Sequence, residues 1–371
     1  MMKAVIQDKY GSPSEVLQVR DVDMPAMGED EVLIRVHAAS IHPDVWHVVT
    51  GRPYVMRLMG AGLRRPKTRV PGTDLAGCVV SVGNEVTRFK PGDEVFGESH
   101  MGTQWQNGGA FAEYAAVSEH ALALKPANIT FSQAAAVPTS GLIALVNLRA
   151  GELTAPGKRV LVNGAAGNVG SIAMQLAKAY GAHVTGVDSG EKLPLIRALG
   201  ADQLIDYRRE DFTRGAQRYD LIFDVASTLA LEDCKRVLNP AGVYVRIGHE
   251  HFGEVGGPLF GSLPGFFKLV ARSMFDRSLP KMSGSFPGKR SCMEVLGGLL
   301  AAGKLTPVVD KVYPLNGVAD AIRYLASGQA LGKIVIAPQE SFHESRGSTG
   351  GHRPPRMRGT AEPGRASVQL Q

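Results

Sequence analysis

Short apolar runs separated by glycine and proline dominate the first third of the chain. Typical runs are KAVIQ near the N-terminus, DEVLIRVHAAS further on and AFAEYAAV towards the end of this stretch. Several short strands with regular turn signals are typical of a compact, barrel-like β domain. The pattern therefore predicts a β-rich domain over residues 1–125.

From about residue 126, apolar runs of strand length alternate with apolar positions at helical spacing. The run VLVN precedes a stretch in which Val169, Ile172 and Leu176 fall on one face of a helix. Strands that alternate with helices indicate an α/β fold, doubly wound around a parallel sheet, which we assign to residues 126–265. The further predicted strands are 183–187, 203–206, 219–226 and 242–248, with a helix over 229–238 that ends at Asn239-Pro240.

The remaining ordered part, residues 266–337, is predicted to return to the first domain and complete it. It combines helical patterns over 264–275, 289–302 and 316–325 with the strand-like runs VVDKVYP and GKIVI. Residues 338–371 hold five arginines against three glutamates and few large apolar side chains. We expect this basic tail to be disordered.

Composition narrows the class of protein. The chain has 371 residues, 44% of them hydrophobic and 20% charged, with a formal net charge of +6. This composition is typical of a globular protein. The positive charge is too dispersed along the chain to indicate nucleic-acid binding. Three cysteines without metal-like spacing suit a reducing compartment. With neither a signal-peptide core nor a bilayer-length apolar run, we expect a cytoplasmic protein with no integral membrane segment.

Three glycines stand where the first strand of the α/β region meets its helix. Gly164, Gly167 and Gly170 have the spacing G-x-x-G-x-x-G, with Asn168 and Val169 between the last two. Glycines allow the backbone to approach a pyrophosphate, and the free N–H groups of a helix start bind its charge. The context favours a dinucleotide site over an ordinary tight turn.

The next strand carries conflicting signals about which dinucleotide binds. Asp188 at its end favours NADH, because an acid there contacts the adenosine ribose. Ser189, Lys192 and Tyr207 could together hold the 2′-phosphate of NADPH. We favour NADPH and keep NADH open. Further cofactor contacts are predicted where two later strands end, at Val225, Ala226, Ile247 and Gly248.

The order of motifs resembles the medium-chain dehydrogenase/reductase superfamily, on its zinc-independent quinone oxidoreductase side. The chain looks similar to bacterial NAD(P)-dependent alcohol dehydrogenases and mitochondrial reticulon-interacting oxidoreductases. This resemblance implies a GroES-like catalytic domain, a Rossmann domain and an active site between them. It also implies hydride transfer from NADPH to a quinone, enone or related carbonyl, and a homodimer. The stretches that carry it are 39–46, 70–97, 108–117, 125–145, 163–170, 199–207 and 331–336.

Zinc alcohol dehydrogenases of this superfamily carry an early cysteine and a Gly-His-Glu motif. Here the corresponding positions read His42 and Gly72-Thr73-Asp74. A catalytic zinc needs three protein ligands, and threonine is a poor one. The four-cysteine loop that holds structural zinc is also missing between Phe96 and Gly109. We therefore expect no zinc, and the alternative is a zinc-type alcohol dehydrogenase with atypical ligands.

The resemblance assigns catalytic roles to two residues. Tyr54 corresponds to a cleft tyrosine of the family, and His42 replaces a frequent asparagine; either could donate a hydrogen bond to the substrate oxygen. The family often has a threonine at the position of Ile143, and that threonine helps to hold the nicotinamide. Isoleucine cannot donate a hydrogen bond, but Thr139 or Ser140 nearby could replace the missing donor. These departures leave open a third function, a non-catalytic NADPH-binding sensor or scaffold.

The stretch 256–277 matches the family least. It combines aromatic and aliphatic side chains with Lys268, Arg272 and Arg277. We expect it to cap the substrate cleft or to pack within the protein or a dimer. A basic, aromatic helix could also rest on a membrane surface, where lipophilic quinones reside.

Overall fold

The fold was examined in a computed structural model that describes residues 1–100, 108–148, 154–248, 257–280 and 288–338. Met1–Glu340 form one compact unit. The predicted disordered tail, apart from Pro338, lies outside the described residues. Within the described part of the chain, no helix combines the length and apolar character needed to cross a bilayer.

Two sheets build the β-rich part of the molecule. The first is an antiparallel hairpin of β1 (Met2–Gln7) and β2 (Leu17–Val22). The second has seven strands: β3 (Glu31–Ile41), β4 (Asp74–Val82), β5 (Glu94–Glu98), β6 (Tyr114–Ser118), β7 (Leu122–Leu124), β13 (Val309–Pro314) and β14 (Lys333–Ala337). Its order is β13-β14-β3-β4-β5-β7, with β6 also paired to β3. The last two strands of the described chain thus lie beside the first ones.

A five-stranded parallel sheet forms the other half. Its strands are β8 (Arg159–Asn163), β9 (His183–Asp188), β10 (Gln203–Asp206), β11 (Tyr219–Asp224) and β12 (Leu238–Arg246). The order β10-β9-β8-β11-β12 runs outwards in both directions from β8 and β11. Ligands of such sheets bind where the order reverses, beyond the carboxyl ends of the central strands. The mixed α/β fold class predicted from the sequence is confirmed.

Eleven α-helices are present in the described residues, and α4 and α5 pack together over the parallel sheet. Their shared core includes Val162 of β8 and Ile172 and Leu176 of α5, all buried. Helix bounds are α1 (Pro13–Val16), α2 (Asp44–Thr50), α3 (Phe131–Ala135), α4 (Pro138–Leu148), α5 (Asn168–Ala179), α6 (Leu193–Ala198), α7 (Leu231–Arg236), α8 (Gly257–Phe260), α9 (Leu263–Ser273), α10 (Lys289–Ala301) and α11 (Val318–Ala326).

A buried ion pair joins the seven-stranded sheet to the start of α4. Lys333 of β14 and Asp74 of β4 have fully buried side chains, and the ammonium lies 3.0 Å from the carboxylate. The same carboxylate accepts a hydrogen bond from the Thr139 backbone N–H at 3.1 Å. Because a buried charge is tolerated only when it is paired, these contacts fix the position of α4 relative to β4 and β14.

One predicted boundary is wrong. The sequence pattern places a helix over 229–238 and a strand from Gly242, whereas α7 ends at Arg236 and β12 begins at Leu238. Pro240 therefore lies inside a strand. It is tolerated because β12 is the edge of the parallel sheet, where one side of the strand needs no hydrogen-bond partner.

Asp276, which follows α9, forms contacts that should stabilise the fold when its carboxyl group is ionised. Asp276 accepts hydrogen bonds from the Lys235 ammonium and the Ser278 hydroxyl, both at 2.6 Å. These two groups hold the pKa of the Asp276 carboxyl well below its usual range. Because the folded-state pKa is lowered, the carboxylate stabilises the fold above about pH 4, and this contribution is lost as the pH falls further.

We therefore expect D276N to lower the free energy of unfolding by about 1–2 kcal/mol at pH 7. The difference between D276N and the unsubstituted chain should be smaller at about pH 3, because the unfolded carboxyl then takes up a proton that the folded carboxylate does not. Urea unfolding at the two pH values measures this. A difference that stayed constant would show that the ionised form of Asp276 does not stabilise the fold.

Candidate active site

A cavity of about 1530 Å³ opens between the carboxyl ends of the parallel strands and the loop that follows β3. Its walls include Gly164 after β8, Val225 after β11 and Ile247 after β12 on one side. His42 and Pro53 line it from the other side. The cavity therefore contains the switch point of the parallel sheet and reaches into the β-rich part of the molecule.

The glycine turn has the backbone geometry that the sequence predicts. Gly164 has a φ of +81°, and a Cβ there would lie 3.2 Å from the Ala226 nitrogen. A Cβ on Gly170 would lie 2.1 Å from the Gly164 oxygen, so the helix start packs directly on the turn. Gly167 precedes α5 without a side-chain cap. The first N–H groups of α5, on cavity-lining Asn168 and Val169, have no partner within the helix and can bind an anion.

Most predicted cofactor contacts meet at this cavity. Gly170 and Ser189 are the exceptions: Gly170 packs behind the turn, and Ser189 is buried away from the cavity. The predicted residues that line it are Gly164, Gly167, Asn168, Val169, Asp188, Lys192, Tyr207, Val225, Ala226, Ile247 and Gly248.

Asp188 has a contact that the sequence did not predict. One of its carboxylate oxygens accepts a hydrogen bond from the Ala166 N–H at 3.0 Å, and the other accepts one from the Ser189 N–H at 2.9 Å. The side chain is buried. Its charge is therefore used to hold the glycine turn against the end of β9, and two backbone donors stabilise it there.

Lys192 and Tyr207 flank the same end of the cavity. The Lys192 ammonium donates hydrogen bonds to the carbonyls of Gly328 at 2.9 Å and Ala330 at 3.3 Å. Tyr207 is half-exposed. The lysine thus joins the parallel-sheet half to the loop before β14, and its ammonium lies at the cavity edge.

Sequence reasoning missed a buried acid at the end of β11. Asp224 is fully buried and accepts hydrogen bonds from the Asn163 amide, the Ser227 N–H and the Tyr244 hydroxyl, at 2.7–2.8 Å. Ser227 has a left-handed backbone, with φ +53°. This network fixes the loop that presents Val225 and Ala226 to the cavity. In the sequence, the polar residues that end two buried strands could have indicated this network.

His42 lines the cavity from the β-rich side. Its side chain is 8% exposed, and its Nδ1 lies 2.8 Å from Asp44 Oδ2. Its Nε2 is buried and has no hydrogen-bond partner among the described residues. An Nδ1–H that donates to a carboxylate fixes the ring and leaves Nε2 to exchange a proton with a bound molecule.

A second histidine, His47, also lines the cavity. Its Nδ1 lies 2.7 Å from the carbonyl oxygen of Arg52. Burial lowers the pKa of His47, which favours the neutral imidazole.

Tyr54 and the two residues expected to compensate for Ile143 lie elsewhere. Tyr54 is not among the cavity-lining residues, and the Arg57 guanidinium lies 4.6 Å from its ring centre. The Thr139 hydroxyl lies within hydrogen-bond distance of the carboxylates of Asp74 and Glu98. Ile143 does line the cavity, as an apolar wall.

The residues at the zinc-ligand positions do not fit a zinc ion. Both Asp74 oxygens are taken, by Lys333 and Thr139. Thr73 is a poor zinc ligand. In the part of the chain that the structure describes, no three His, Cys, Asp or Glu side chains come together as a metal site requires.

Comparison with known proteins places the chain in a family. Residues 28–127 match the alcohol dehydrogenase GroES-like domain, and residues 199–336 match the zinc-binding dehydrogenase family. The chloroplastic NADPH-dependent alkenal/one oxidoreductase of Arabidopsis thaliana is 35% identical, over 91% of this chain and 80% of the relative. The mitochondrial NAD(P)H oxidoreductase RTN4IP1 of Bos taurus is 31% identical, over 91% and 89%.

A solved structure agrees with this placement. The Escherichia coli quinone oxidoreductase complexed with NADPH has a TM-score of 0.71 and 26% identity, over 91% of this chain and 100% of that one. The resemblance predicted from the sequence is thereby confirmed. The chain belongs to the medium-chain dehydrogenase/reductase superfamily, in the branch of the quinone oxidoreductases.

Proposed function

We propose that this protein reduces an enone, a quinone or a related carbonyl with NADPH, without zinc. The observation that carries the proposal is the cavity itself. It brings the phosphate-binding start of α5 and a buried imidazole, with a free Nε2, to one enclosed space. Full-length relatives that are named NADPH-dependent alkenal/one oxidoreductase and quinone oxidoreductase support the same chemistry.

The cofactor fits the residues present. Gly167 leaves room beside the first N–H groups of α5, which would hold the pyrophosphate. Val225, Ala226, Ile247 and Gly248 would line the path of the cofactor towards the nicotinamide end. When bound, the reduced nicotinamide supplies the hydride.

His42 would supply the proton that completes the reduction. Addition of a hydride to the β-carbon of an enone moves an electron pair towards oxygen, and that charge is neutralised by one proton. With Nδ1–H directed to Asp44, the His42 imidazolium can give up its Nε2 proton to the substrate and remain hydrogen-bonded. The Asp44 carboxylate stabilises the charged ring before transfer and holds it in one orientation.

Part of the cavity wall is apolar. Ile143 and Val146 of α4, together with Leu269 and Val270 of α9, line it. An apolar wall suits the ring of a quinone or the carbon chain of an enone and keeps water away from the hydride-transfer step. A small, hydrophilic alcohol would make few contacts with this apolar surface.

Preference for NADPH over NADH would rest on Lys192 and Tyr207. Asp188 is engaged by two backbone donors, so its charge is partly neutralised, while the Lys192 ammonium remains at the cavity edge. A 2′-phosphate could accept from both the ammonium and the phenol.

We expect K192A to weaken NADPH binding by about tenfold or more, because one charge-assisted hydrogen bond to the 2′-phosphate is lost. NADH has no 2′-phosphate, so its binding should change by less than about threefold. Fluorescence titration with each nucleotide measures both constants. K304A is a matched control, since Lys304 is exposed and does not line the cavity. Equal losses for the two nucleotides would place the 2′-phosphate elsewhere.

The proposed function is tested by following NADPH oxidation at 340 nm with a panel of enones, quinones and saturated aldehydes. We expect turnover with the first two classes, unchanged after dialysis against a zinc chelator. Loss of activity on chelation, regained with zinc, would favour the zinc-type alcohol dehydrogenase. Nucleotide binding without turnover across the panel would favour a sensor or scaffold.

A further inference from the structure

Exposed apolar side chains are concentrated at two short segments. Of the nineteen large hydrophobic residues that are exposed in the described part of the chain, ten lie within residues 54–63 and 259–275. Phe275 is 88% exposed and Leu58 is 74% exposed. We call this set the apolar rim: Tyr54, Leu58, Met59, Leu63, Leu259, Phe260, Phe266, Phe267, Met274 and Phe275.

The two segments adjoin each other at the opening of the active-site cavity. The backbone N–H of Tyr54 donates a hydrogen bond to the carbonyl of Pro258 at 2.8 Å. Met59 from one segment and Phe266 and Phe267 from the other line the cavity while they remain half-exposed. The two segments of the apolar rim therefore meet beside the active-site cavity, and part of the rim lines it.

Unpaired cations accompany this surface. Arg64, Arg65, Lys268 and Arg277 are exposed and form no ion pair with any described residue. Each lies within a few positions of a rim residue in the sequence. Arg272 is not counted, because Glu232 and Asp276 neutralise it. The surface thus combines exposed aromatic and aliphatic groups with a local excess of positive charge.

We propose that the apolar rim docks on an anionic lipid bilayer, so that a lipophilic substrate passes from the membrane directly into the cavity. Phe and Leu side chains that insert at the headgroup boundary, beside Lys and Arg that attract acidic headgroups, are the combination that surface-bound helices use. An exposed apolar surface of this extent marks an interaction site. The identity of the substrate as a lipophilic quinone or enone rests on the proposed function, whereas the docking does not.

Charge decides between a bilayer and a second copy of the chain. A two-fold interface through the rim would bring the four cations of one copy close to the four cations of the other. Like charges without acidic partners oppose that arrangement, and an anionic surface is complementary to it. A dimer through the rim is therefore the disfavoured alternative.

The test uses the full chain and sedimentation with vesicles of phosphatidylglycerol or of phosphatidylcholine. The rim variant is L58E/F275E, since neither residue lines the cavity. The matched control is L124E/V312E, which adds the same charge at two exposed apolar residues on β7 and β13. Thermal melting and NADPH titration of each variant show that fold and cofactor site are retained.

We expect the chain to bind phosphatidylglycerol vesicles, to bind phosphatidylcholine vesicles far less, and to be released by salt. L58E/F275E should lower vesicle binding by about tenfold or more, while L124E/V312E lowers it by less than about twofold. With a quinone embedded in vesicles, the rim variant should lose activity in the same proportion, and it should keep its activity with a water-soluble quinone.

Three results would overturn the proposal. The chain could fail to bind phosphatidylglycerol vesicles, the rim and control variants could bind equally, or L58E/F275E could convert a dimer into a monomer in light scattering. The last result would assign the rim to a second copy. Vesicle binding with no turnover of any quinone or enone would instead contradict the proposed function alone.

Discussion

Replacement of Gly167 by valine should abolish NADPH binding. Gly167 precedes α5 with a φ of −72°, which valine also adopts, so backbone strain is small. The added side chain would occupy the space beside the first N–H groups of the helix, where the pyrophosphate would lie. Loss of two or three charge-assisted hydrogen bonds should weaken NADPH binding by at least about a hundredfold.

A matched control separates this effect from damage to the fold. Gly298 lies in α10, and a Cβ there would have no atom within 4 Å. We expect G298A to bind NADPH like the unsubstituted chain. G167V should melt within a few degrees of it, since a Cβ at Gly167 meets only the Gly164 oxygen, at 3.3 Å. Normal NADPH titration by a folded G167V would show that the pyrophosphate site lies elsewhere.

The second large effect concerns His42. H42N removes the group that can transfer a proton from Nε2, while it keeps a polar side chain of smaller size. General acid catalysis contributes about a hundredfold to ten-thousandfold, so we expect kcat with an enone to fall by about a hundredfold or more. NADPH binding should change little, because the dinucleotide contacts lie on the opposite wall of the cavity.

Two further readouts distinguish proton transfer from simple packing. In the unsubstituted enzyme kcat should be lower in deuterated water than in ordinary water, because a proton moves in the step, and this solvent isotope effect should be much smaller in H42N. D44N removes the carboxylate that holds Nδ1, so it should lower kcat with little change in KM. His120, whose side chain is exposed, supplies the control H120N. A solvent isotope effect that H42N leaves unchanged would assign the proton to another group.

Local patterns predicted the parts of the structure that depend on local interactions. The glycine turn follows from three residues within seven positions and from the flanking strand and helix. The parallel sheet follows from the regular alternation of buried strands with amphipathic helices. In both cases the residues that decide the conformation are neighbours in the chain, so their signal survives without tertiary information.

Contacts between distant residues explain what the sequence did not predict. Asp188 holds the N–H of Ala166, which is 22 positions away, and its buried carboxylate therefore stabilises the turn. Lys333 and Asp74 are 259 positions apart, and no local pattern pairs them. The His42–Asp44 pair is close in sequence, but its direction towards the cavity depends on how the loop after β3 packs.

The central claim is that hydride passes from NADPH to an electron-poor carbon in this cavity. The most direct measurement supplies NADPH carrying deuterium at the transferable position of the nicotinamide and analyses the product of an enone by mass spectrometry. The account predicts one deuterium on the β-carbon of the saturated product and, in deuterated water, a second deuterium on the α-carbon, which the enol takes up from solvent as it becomes the ketone. NADPH bound without transfer of the label to any enone or quinone would contradict it.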